Sequence, residues 1–231
     1  MVCLKSPDTS NDIKGRLQKR ELTMILKVIN TGMLDSNCYI LGEDGEAAVI
    51  DPGADIKDIA AILDQHDLTL KYIILTHAHI DHIAEVDELR SSRGGKAVVH
   101  EDDAPLLGDS LLNGSALFGR DSVFKDADIC VRDGHILQLG CTKLNIIHTP
   151  GHTPGGICIF VKDPDGIGSC IFSGDTLFRL GIGRTDLGAG DYDRLIASLR
   201  RLMELGDDIK VYPGHGSATD IGYERSFNPW L

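Results

Sequence analysis

Three of the nine histidines in this 231-residue sequence fall within the six residues 77–82. On an extended segment the side chains of alternate residues point the same way, so His77 and His79 can present their imidazoles to one point. Asp81 and His82 then approach that point from the turn that follows. This spacing predicts a metal-chelating loop, because imidazole and carboxylate are ligands that zinc takes from proteins. Asp81 has a second interpretation, as the N-cap of the following helix.

Three further candidate ligands follow later apolar runs. His152 ends the segment His-Thr-Pro-Gly-His, in which Pro and Gly fix a rigid turn, and on chemistry alone His148 at its start is an equal candidate. Asp175, in Ser-Gly-Asp-Thr, can bridge two cations with its two oxygens. His215, in Pro-Gly-His-Gly, is again braced by Pro and Gly. A lone Gly-Asp pair would be interpreted as an ordinary turn, so it is the combination that predicts a site.

Together these seven residues predict a site for two divalent metal ions. They divide into two sets that share one carboxylate: His77, His79 and His152 with Asp175, and Asp81, His82 and His215 with Asp175. Nitrogen and oxygen ligands without a thiolate favour zinc, while iron and manganese are also compatible.

The elements that must position these residues are strands that end in loops. Apolar or alternating runs predict strands at residues 25–29, 38–41, 47–50, 72–75, 97–100, 129–131, 136–139, 144–147, 157–161, 170–172 and 209–212. Helical spacing predicts helices from Asp55, as N-cap, to about residue 66, over 83–90 and over 192–204. The segment 102–128 has no interpretable pattern. Because strands precede a helix in both halves, the pattern favours two sheets packed face to face with helices outside, although other α/β layouts are compatible.

The composition is that of a globular protein. With 42% hydrophobic residues and 26 glycines, residues 24–231 are predicted to form one domain. The polar segment 1–23 is predicted to be a leader, either a disordered tail or an upstream start. The net charge of −12 argues against nucleic acid as a partner, since such binding depends on Lys and Arg neutralising phosphates.

Cysteines and hydropathy give an expectation of cellular location. The six cysteines include no CxxC pair, so neither a zinc knuckle nor a disulfide framework is predicted, and Cys158 is expected to be a buried small residue. No stretch approaches the roughly 20 apolar residues that span a bilayer, and residues 1–23 lack the apolar core of a signal peptide. We therefore predict a cytoplasmic protein with no membrane partner.

The motif set His-x-His-x-Asp-His, Pro-Gly-His-Thr, Ser-Gly-Asp and Pro-Gly-His-Gly resembles the metallo-β-lactamase superfamily over about residues 25–231. The resemblance implies an α/β (α+β) fold, an αββα four-layer sandwich with a dinuclear metal site at the edges of the sheets. It implies His152 rather than His148 as the ligand. Asp51, in Asp-Pro-Gly, matches a position that supports the metal-site loops through hydrogen bonds, and its other interpretation is a turn residue before proline.

Within that superfamily the sequence is similar to glyoxalase II, the hydroxyacylglutathione hydrolases, and to their short bacterial relatives. The similar segments are 173–178, 181–186 and 222–230. This similarity implies hydrolysis of a small-molecule thioester, with glutathione-derived thioesters as candidates. We expect a metal-bridging hydroxide to attack the carbonyl, with Asp81 orienting the hydroxide and accepting its proton. A thiolate, whose parent pKa is about 8.5, can leave without a strong general acid.

Two features depart from full-length glyoxalase II. Those enzymes have a helical C-terminal domain that helps to bind glutathione, and the resemblance here does not include it. Where they have Gly-Lys followed by an aromatic residue, this sequence has Gly183-Arg184-Thr-Asp186. Arg184 can pair with a substrate carboxylate, or it can brace its own loop through Asp186.

Other functions are compatible with parts of this pattern. Persulfide dioxygenases share the fold and a similar Gly-Arg-Thr-Asp segment, and they use one iron held by residues that match His77, His152 and Asp175. The additional second set of ligands favours a dinuclear hydrolase. Lactonases of the superfamily use the same seven ligands. Antibiotic β-lactamases are disfavoured, because many have cysteine or no ligand where Asp175 stands.

Two function classes outside small-molecule hydrolysis are less compatible. The acidic charge and the lack of a recognisable RNA-binding insertion disfavour a nuclease. A binding protein stabilised by metal is the non-catalytic alternative. Structural zinc sites close four ligands around one metal, whereas seven ligands for two metals leave positions for water, which favours catalysis.

Overall fold

The structure is a computed structural model, and it describes residues 24–30, 33–162 and 168–231. The predicted leader, residues 1–23, lies outside the described residues. Within these ranges the chain forms two six-stranded sheets, a two-stranded ribbon and five α-helices. None of the helices in the described ranges is long and apolar enough to cross a membrane.

The first sheet places two of the predicted site segments at one edge. Its strands are β1 (Ile25–Ile29), β2 (Cys38–Glu43), β3 (Glu46–Ile50), β4 (Thr69–Ile74), β5 (Lys96–His100) and β6 (Ile129–Val131), in that spatial order. The strands β1, β2 and β3 pair antiparallel, and β3, β4, β5 and β6 pair parallel. Parallel strands end at the same edge, so Asp51 after β3 lies beside the loop that follows β4.

The second sheet places the segments that contain Asp175 and His215 at one of its edges. Its strands are β7 (Ile136–Leu139), β8 (Thr142–His148), β9 (Ile157–Val161), β10 (Cys170–Gly174), β13 (Lys210–Pro213) and β14 (Thr219–Asp220), with β11 (Leu177–Phe178) and β12 (Gly181–Ile182) as the ribbon. The spatial order is β14-β13-β10-β9-β8-β7. Because β10 and β13 are parallel neighbours, the chain delivers Asp175 and His215 side by side.

Helices cover the outer faces of both sheets. They are α1 (Ile56–Gln65), α2 (Ile80–Ile83), α3 (Val86–Arg93), α4 (Tyr192–Leu202) and α5 (Ile221–Phe227). Alternation along β3 shows the layering: Ala47 and Val49 pack with α1 and α3, while Ala48 and Ile50 face the second sheet. Leu195 of α4 packs on the far side of the second sheet. The order helices, sheet, sheet, helices confirms the predicted αββα sandwich.

Every predicted strand is present, with ends that shift by three residues at most, and Asp55 caps α1 by accepting a hydrogen bond from Lys57 N at 2.8 Å. Strands β11, β12 and β14 and helix α5 were not predicted. Cys158 and Cys170 are buried as expected, and burial raises the pKa of the Cys158 thiol to about 11. Such a thiol is inert at neutral pH.

The helix predicted over residues 83–90 is confirmed over residues 86–90 as part of α3, but it does not begin at residue 83, because a break separates α3 from the short helix α2. A continuous helix would use the carbonyl of Asp81 to accept from Glu85 N. That carbonyl instead accepts from the hydroxyl of Ser36 at 2.7 Å, and Glu85 N donates to Pro52 O at 2.9 Å. Asp81 therefore lies inside the short helix α2 and caps neither helix.

Phe172 provides a test of the packing between the sheets. Its ring is fully buried, with centroid distances of 5.0 Å to Tyr39 and 5.3 Å to Tyr212. We expect Phe172→Ala to lower the free energy of unfolding by about 3–5 kcal/mol, measured by chemical denaturation. Phe227→Ala is the matched control, because that ring is 66% exposed, and it should cost about 1 kcal/mol or less. Equal losses in the two variants would contradict this account of the core.

Candidate metal centre

The structure brings all seven predicted ligands into one cluster where the two sheets meet. The loop after β4 and the helix α2 that follows it contribute four of them, and the loops after β8, β10 and β13 contribute one each. Backbone hydrogen bonds cross the seam between the sheets: Ile157 N donates to Thr76 O at 2.8 Å, and Asn37 N donates to Gly214 O at 2.7 Å. The position of each ligand thus depends on both sheets.

The first set of ligands converges closely. His77, His79 and His152 each offer a ring nitrogen within 4.8 Å of the others. The closest pair is His79 Nδ1 and His152 Nε2, 2.9 Å apart. Two nitrogens bound tetrahedrally at about 2.0–2.1 Å from one zinc ion lie about 3.3 Å apart, so the observed spacing suits shared coordination.

The second set is equally compact and lies against the first. His82 Nε2 is 3.1 Å from His215 Nε2, which is 3.1 Å from Asp81 Oδ2. Asp175 stands between the sets, with Oδ1 3.5 Å from His82 Nε2 and Oδ2 3.5 Å from His152 Nε2. One carboxylate can therefore serve both sets, as the sequence predicts.

Two buried atoms show that the cluster suits cations. His77 Nε2 and Asp175 Oδ1 are buried without a hydrogen-bond partner. An unpaired buried polar atom costs about 1–3 kcal/mol, and a cation between the imidazoles and carboxylates would remove that cost at both atoms. The donor set contains nitrogen and oxygen only, which suits zinc, iron or manganese.

Hydrogen bonds behind the cluster fix the imidazole orientations. His152 Nδ1 donates to Arg184 O at 2.7 Å, and His215 Nδ1 donates to Leu34 O at 3.1 Å. His82 Nδ1 donates to Asp51 Oδ2 at 3.0 Å. A proton held on the outer nitrogen leaves the inner nitrogen of each ring with its lone pair directed into the cluster.

Asp51 has the contacts that the resemblance implies. Its Oδ1 accepts from Thr76 N at 2.7 Å, and its Oδ2 accepts from Thr76 Oγ1 at 2.6 Å as well as from His82. Its backbone adopts the left-handed region, with φ of 52°. A carboxylate that holds both the start of the chelating loop and the ring of His82 fixes the loop at two points.

Asp103 is, like Asp51, a buried aspartate behind the cluster, and the sequence analysis did not identify it. It accepts from Ala78 N at 3.1 Å, between the first two histidines of the motif, and from Thr153 Oγ1 at 2.8 Å and Gly155 N at 2.6 Å, beside His152. Burial raises the pKa of Asp103, while these three donors act in the opposite direction. It ties the loops after β4 and β8 together. It lies in the segment 102–128, where the sequence carries no pattern that could have identified it.

The environment of His77 and His79 favours their neutral imidazole form. Burial lowers the pKa of His77 well below its ordinary range, and the nearby imidazoles of His82 and His152 lower it further. Burial, followed by His152, likewise lowers the pKa of His79 to about 3. Neutral imidazole is the form that binds metal ions, so His77 and His79 are prepared for a cation at neutral pH.

The second set has the opposite electrostatics. Burial alone would lower the pKa of His82, but the carboxylates of Asp175, Asp81 and Asp51 outweigh it and raise that pKa well above its ordinary value. At His215 burial is outweighed by the hydrogen bond to Asp81 and by Asp175, so its pKa is also raised. The carboxylates of Asp51, Asp81 and Asp175 thus favour a positive charge at the second set of ligands.

Glycine is required where the loops approach each other most closely. A Cβ atom on Gly214 would collide with Asp175 Oδ1 and lie 2.8 Å from His82 Cε1. A Cβ atom on Gly183 would collide with the carbonyl of Asp175. The Pro-Gly element before His215 therefore gives the second set its close packing as well as a turn.

Two of the open alternatives now have a structural answer. His148 lies outside the cluster: its ring stacks on His100 with centroids 3.8 Å apart, and its Nε2 donates to Pro154 O at 3.0 Å. Arg184 forms a bidentate pair with Asp186 at 2.6 and 2.8 Å, the bracing interaction, although it also lines the cavity beside the cluster.

Comparison with known proteins places this arrangement among metal-dependent enzymes. A family model described as the metallo-beta-lactamase superfamily matches residues 31–215. Hydroxyacylglutathione hydrolase GloC of Haemophilus influenzae is 37% identical over 214 residues, covering 90% of this chain and 98% of that protein. The probable metallo-hydrolase YqgX of Bacillus subtilis is 37% identical over 202 residues, covering 87% of this chain and 94% of that protein.

Solved structures share the fold over most of the chain. BLEG-1, a B3 metallo-beta-lactamase, superposes with a TM-score of 0.82 at 37% identity, covering 90% of this chain and 99% of its own. TTHA1623 in a di-iron-bound form gives 0.76 at 32% identity, with coverages of 89% and 100%. ETHE1 from Myxococcus xanthus gives 0.70 at 28% identity, with coverages of 89% and 84%.

Asp51 provides a test of the support behind the second set. Asparagine at this position keeps one acceptor oxygen and turns its NH2 group towards the donors of the other, so Thr76 N, Thr76 Oγ1 and His82 Nδ1 can no longer all donate to it. We therefore expect Asp51→Asn to weaken binding of one metal equivalent by about 10–100-fold. Zinc titration against a chromophoric chelator measures this affinity. Asp55→Asn is the matched control, because asparagine is an equally good N-cap and the residue lies away from the cluster. Unchanged affinity in Asp51→Asn would contradict the assigned role.

Proposed function

Because this chain belongs to the metallo-β-lactamase superfamily, we propose that it is a dinuclear metal-dependent thioester hydrolase of the glyoxalase II type. The observation that carries the proposal is the complete second set of ligands packed against the first, with Asp175 between them. The identity to the hydroxyacylglutathione hydrolase GloC, over 90% of this chain, supports the thioester as substrate.

We assign the two metal positions to the two sets defined above and propose zinc as the metal. Two bound divalent cations supply a water of lowered pKa and polarise a carbonyl oxygen beside it. The chain itself supplies a cavity that opens beside the ligands and is lined by His79, His152, Asp81, Asp175 and His215 on the metal side. A carbonyl bound there is therefore in reach of both sets.

Asp81 has a further role in this proposal. Its carboxylate lines the cavity and is held in place by His215 Nε2 at 3.1 Å. From this position it can accept a hydrogen bond from the attacking water and take its proton. Neither cysteine nor lysine occurs among the described residues that line the cavity, which disfavours a covalent nucleophile from the chain.

The leaving group accounts for the choice of a thioester. None of the groups around the cavity is placed as an additional strong acid, since the histidines and carboxylates of the two sets are assigned to metal binding. A thiolate, with a parent pKa of about 8.5, leaves without such an acid, whereas an alkoxide or amine requires protonation. The site therefore favours thioesters among carbonyl substrates.

Metal content and turnover together test this function. We expect two metal equivalents per chain and hydrolysis of S-lactoylglutathione. His82→Ala and His215→Ala should each lose more activity than the roughly 10–100-fold loss that follows removal of an outer hydrogen-bond partner. His135→Ala is the control, since that histidine is exposed and lies outside the metal-binding clusters, so the substitution should leave metal content unchanged.

Different outcomes of the same measurements would support other functions. One iron per chain, with oxygen uptake on glutathione persulfide and no thioester cleavage, would overturn the hydrolase proposal in favour of a dioxygenase. Cleavage of a lactone or of a chromogenic β-lactam without thioester cleavage would retain the dinuclear site and reject the thioester. The similarity to BLEG-1 makes the β-lactam assay necessary.

The pair of Arg184 and Asp186 allows a test of glutathione recognition. The Arg184 guanidinium donates two hydrogen bonds to the Asp186 carboxylate. To bind a substrate carboxylate in the same way, it must first break these two bonds. Asp186→Asn should then lower the KM for S-lactoylglutathione, and Arg184→Ala should raise it, each by about two- to fivefold for an exposed ion pair. The kcat should change little. If Arg184→Ala leaves the KM unchanged, Arg184 does not bind the substrate, and its role is to stabilise its own loop through Asp186.

A further inference from the structure

The cavity beside the metal ligands has a volume of about 450 Å³. This lies within the usual range of roughly 300–1,000 Å³ for sites that bind small molecules. The walls away from the metal ligands are mostly apolar, and they come from separate segments of the chain: Leu34, Leu117, Phe118, Phe178, Ile182 and Leu187. The surface next to the reacting centre is therefore largely hydrocarbon.

Three of these six apolar side chains are unusually exposed for their type, and the other three are half-buried. Leu34 is 59% exposed, Leu117 69% and Phe118 46%. Single exposed leucines are ordinary, but large apolar side chains gathered around one concave site mark a surface that a ligand covers. Because these side chains surround the metal cluster, the ligand that covers them is most simply the substrate.

The wall formed by Leu117 and Phe118 is held firmly in place. Ile80 N, in the chelating loop, donates to Asn113 O at 2.8 Å. The buried side chain of Asn113 donates to Ser122 O at 2.9 Å and accepts from Ser115 N at 2.9 Å. Because these bonds tie the segment to the metal ligands, the exposure of its apolar residues is a fixed feature of the site.

The cavity offers few groups for a polar acyl chain. Among the described residues that line it, Arg184 is the one lysine or arginine, and it already pairs with Asp186. The remaining polar side chains are the assigned metal ligands and Asn113, whose side chain is fully buried and bonded to Ser115 and Ser122. A hydroxyl on the acyl group would find no evident partner here and would lose its water on binding.

We infer that the thioester substrate carries an apolar acyl chain, which lies against this hydrophobic wall. The inference rests on the proposed thioester hydrolase function and specifies its substrate. The acyl chain begins at the carbonyl carbon itself, so it is the part of the substrate that must lie next to the metal ligands. The thiol portion departs after the reaction and suits the open side of the cavity, near Arg184.

A series of thioesters with one constant thiol tests this inference with the metal-loaded enzyme. We expect kcat/KM to rise from S-acetyl- through S-butyryl- to S-hexanoylglutathione, by up to about fourfold for each methylene buried. S-propionylglutathione should be a better substrate than S-lactoylglutathione, which differs from it by one hydroxyl. A second series on uncharged N-acetylcysteamine should show the same trend. As a readout without turnover, calorimetry should show hexanoate binding more tightly than acetate.

Variants of the wall connect the trend to the named residues. Phe118→Ala should reduce the ratio of hexanoyl to acetyl turnover by at least threefold. Leu111→Ala is the control, because Leu111 lies in the same segment, is 75% exposed and does not line the cavity, so its profile should match the wild type.

The outcomes separate this inference from the proposed function. Cleavage of S-acetyl- and S-lactoylglutathione with no gain from longer chains, or a preference for lactoyl over propionyl, would overturn the apolar acyl chain and leave the thioester hydrolase intact. Absence of cleavage of every thioester in both series would overturn the proposed function itself.

Discussion

The concentration of three carboxylates around one buried imidazole is the constraint on which the rest of the site depends. Asp51, Asp81 and Asp175 all lie within 3.5 Å of the ring of His82, which is fully buried. Negative charge removed from water is costly unless positive charge accompanies it. Bound cations would supply that positive charge, and the hydrogen bonds that His82, His152 and His215 make through their outer nitrogens would leave the inner nitrogens to bind them.

The precision of that arrangement comes from groups that do not face the cluster. Asp51 and Asp103 each accept several hydrogen bonds, the first within the chelating loop and the second between that loop and the one carrying His152. Glycines at positions 183 and 214 allow the ligand loops to approach more closely than any side chain would permit. The ligands occupy loops, but these loops are fixed by buried hydrogen bonds as firmly as regular secondary structure.

The strands β1–β10 and β13, the helices α1 and α4 and the clustering of the seven candidate ligands could be predicted because each leaves a local signal. Apolar runs mark the strands, and His-x-His-x-Asp-His is a chelating spacing within six residues. The break between α2 and α3 left no such signal, since it depends on Ser36, distant in sequence, reaching the carbonyl of Asp81. Asp103 was missed for the same reason, because its partners are backbone and hydroxyl groups of remote loops. Arg184 had two interpretations in the sequence, and the structure shows features of both, since its guanidinium pairs with Asp186 and the residue lines the cavity.

Each set of ligands takes members from both halves of the sandwich: His77 and His79 from the first sheet with His152 from the second, and His82 from the first with His215 from the second. A cation bound by either set is therefore a cross-link between the two sheets. A metal ion that binds only the folded state adds its binding free energy to the stability of that state, so the metal centre would also stabilise the fold. Metal supply would then govern the lifetime of the protein as well as its activity, and loss of metal would loosen the seam where the two halves meet.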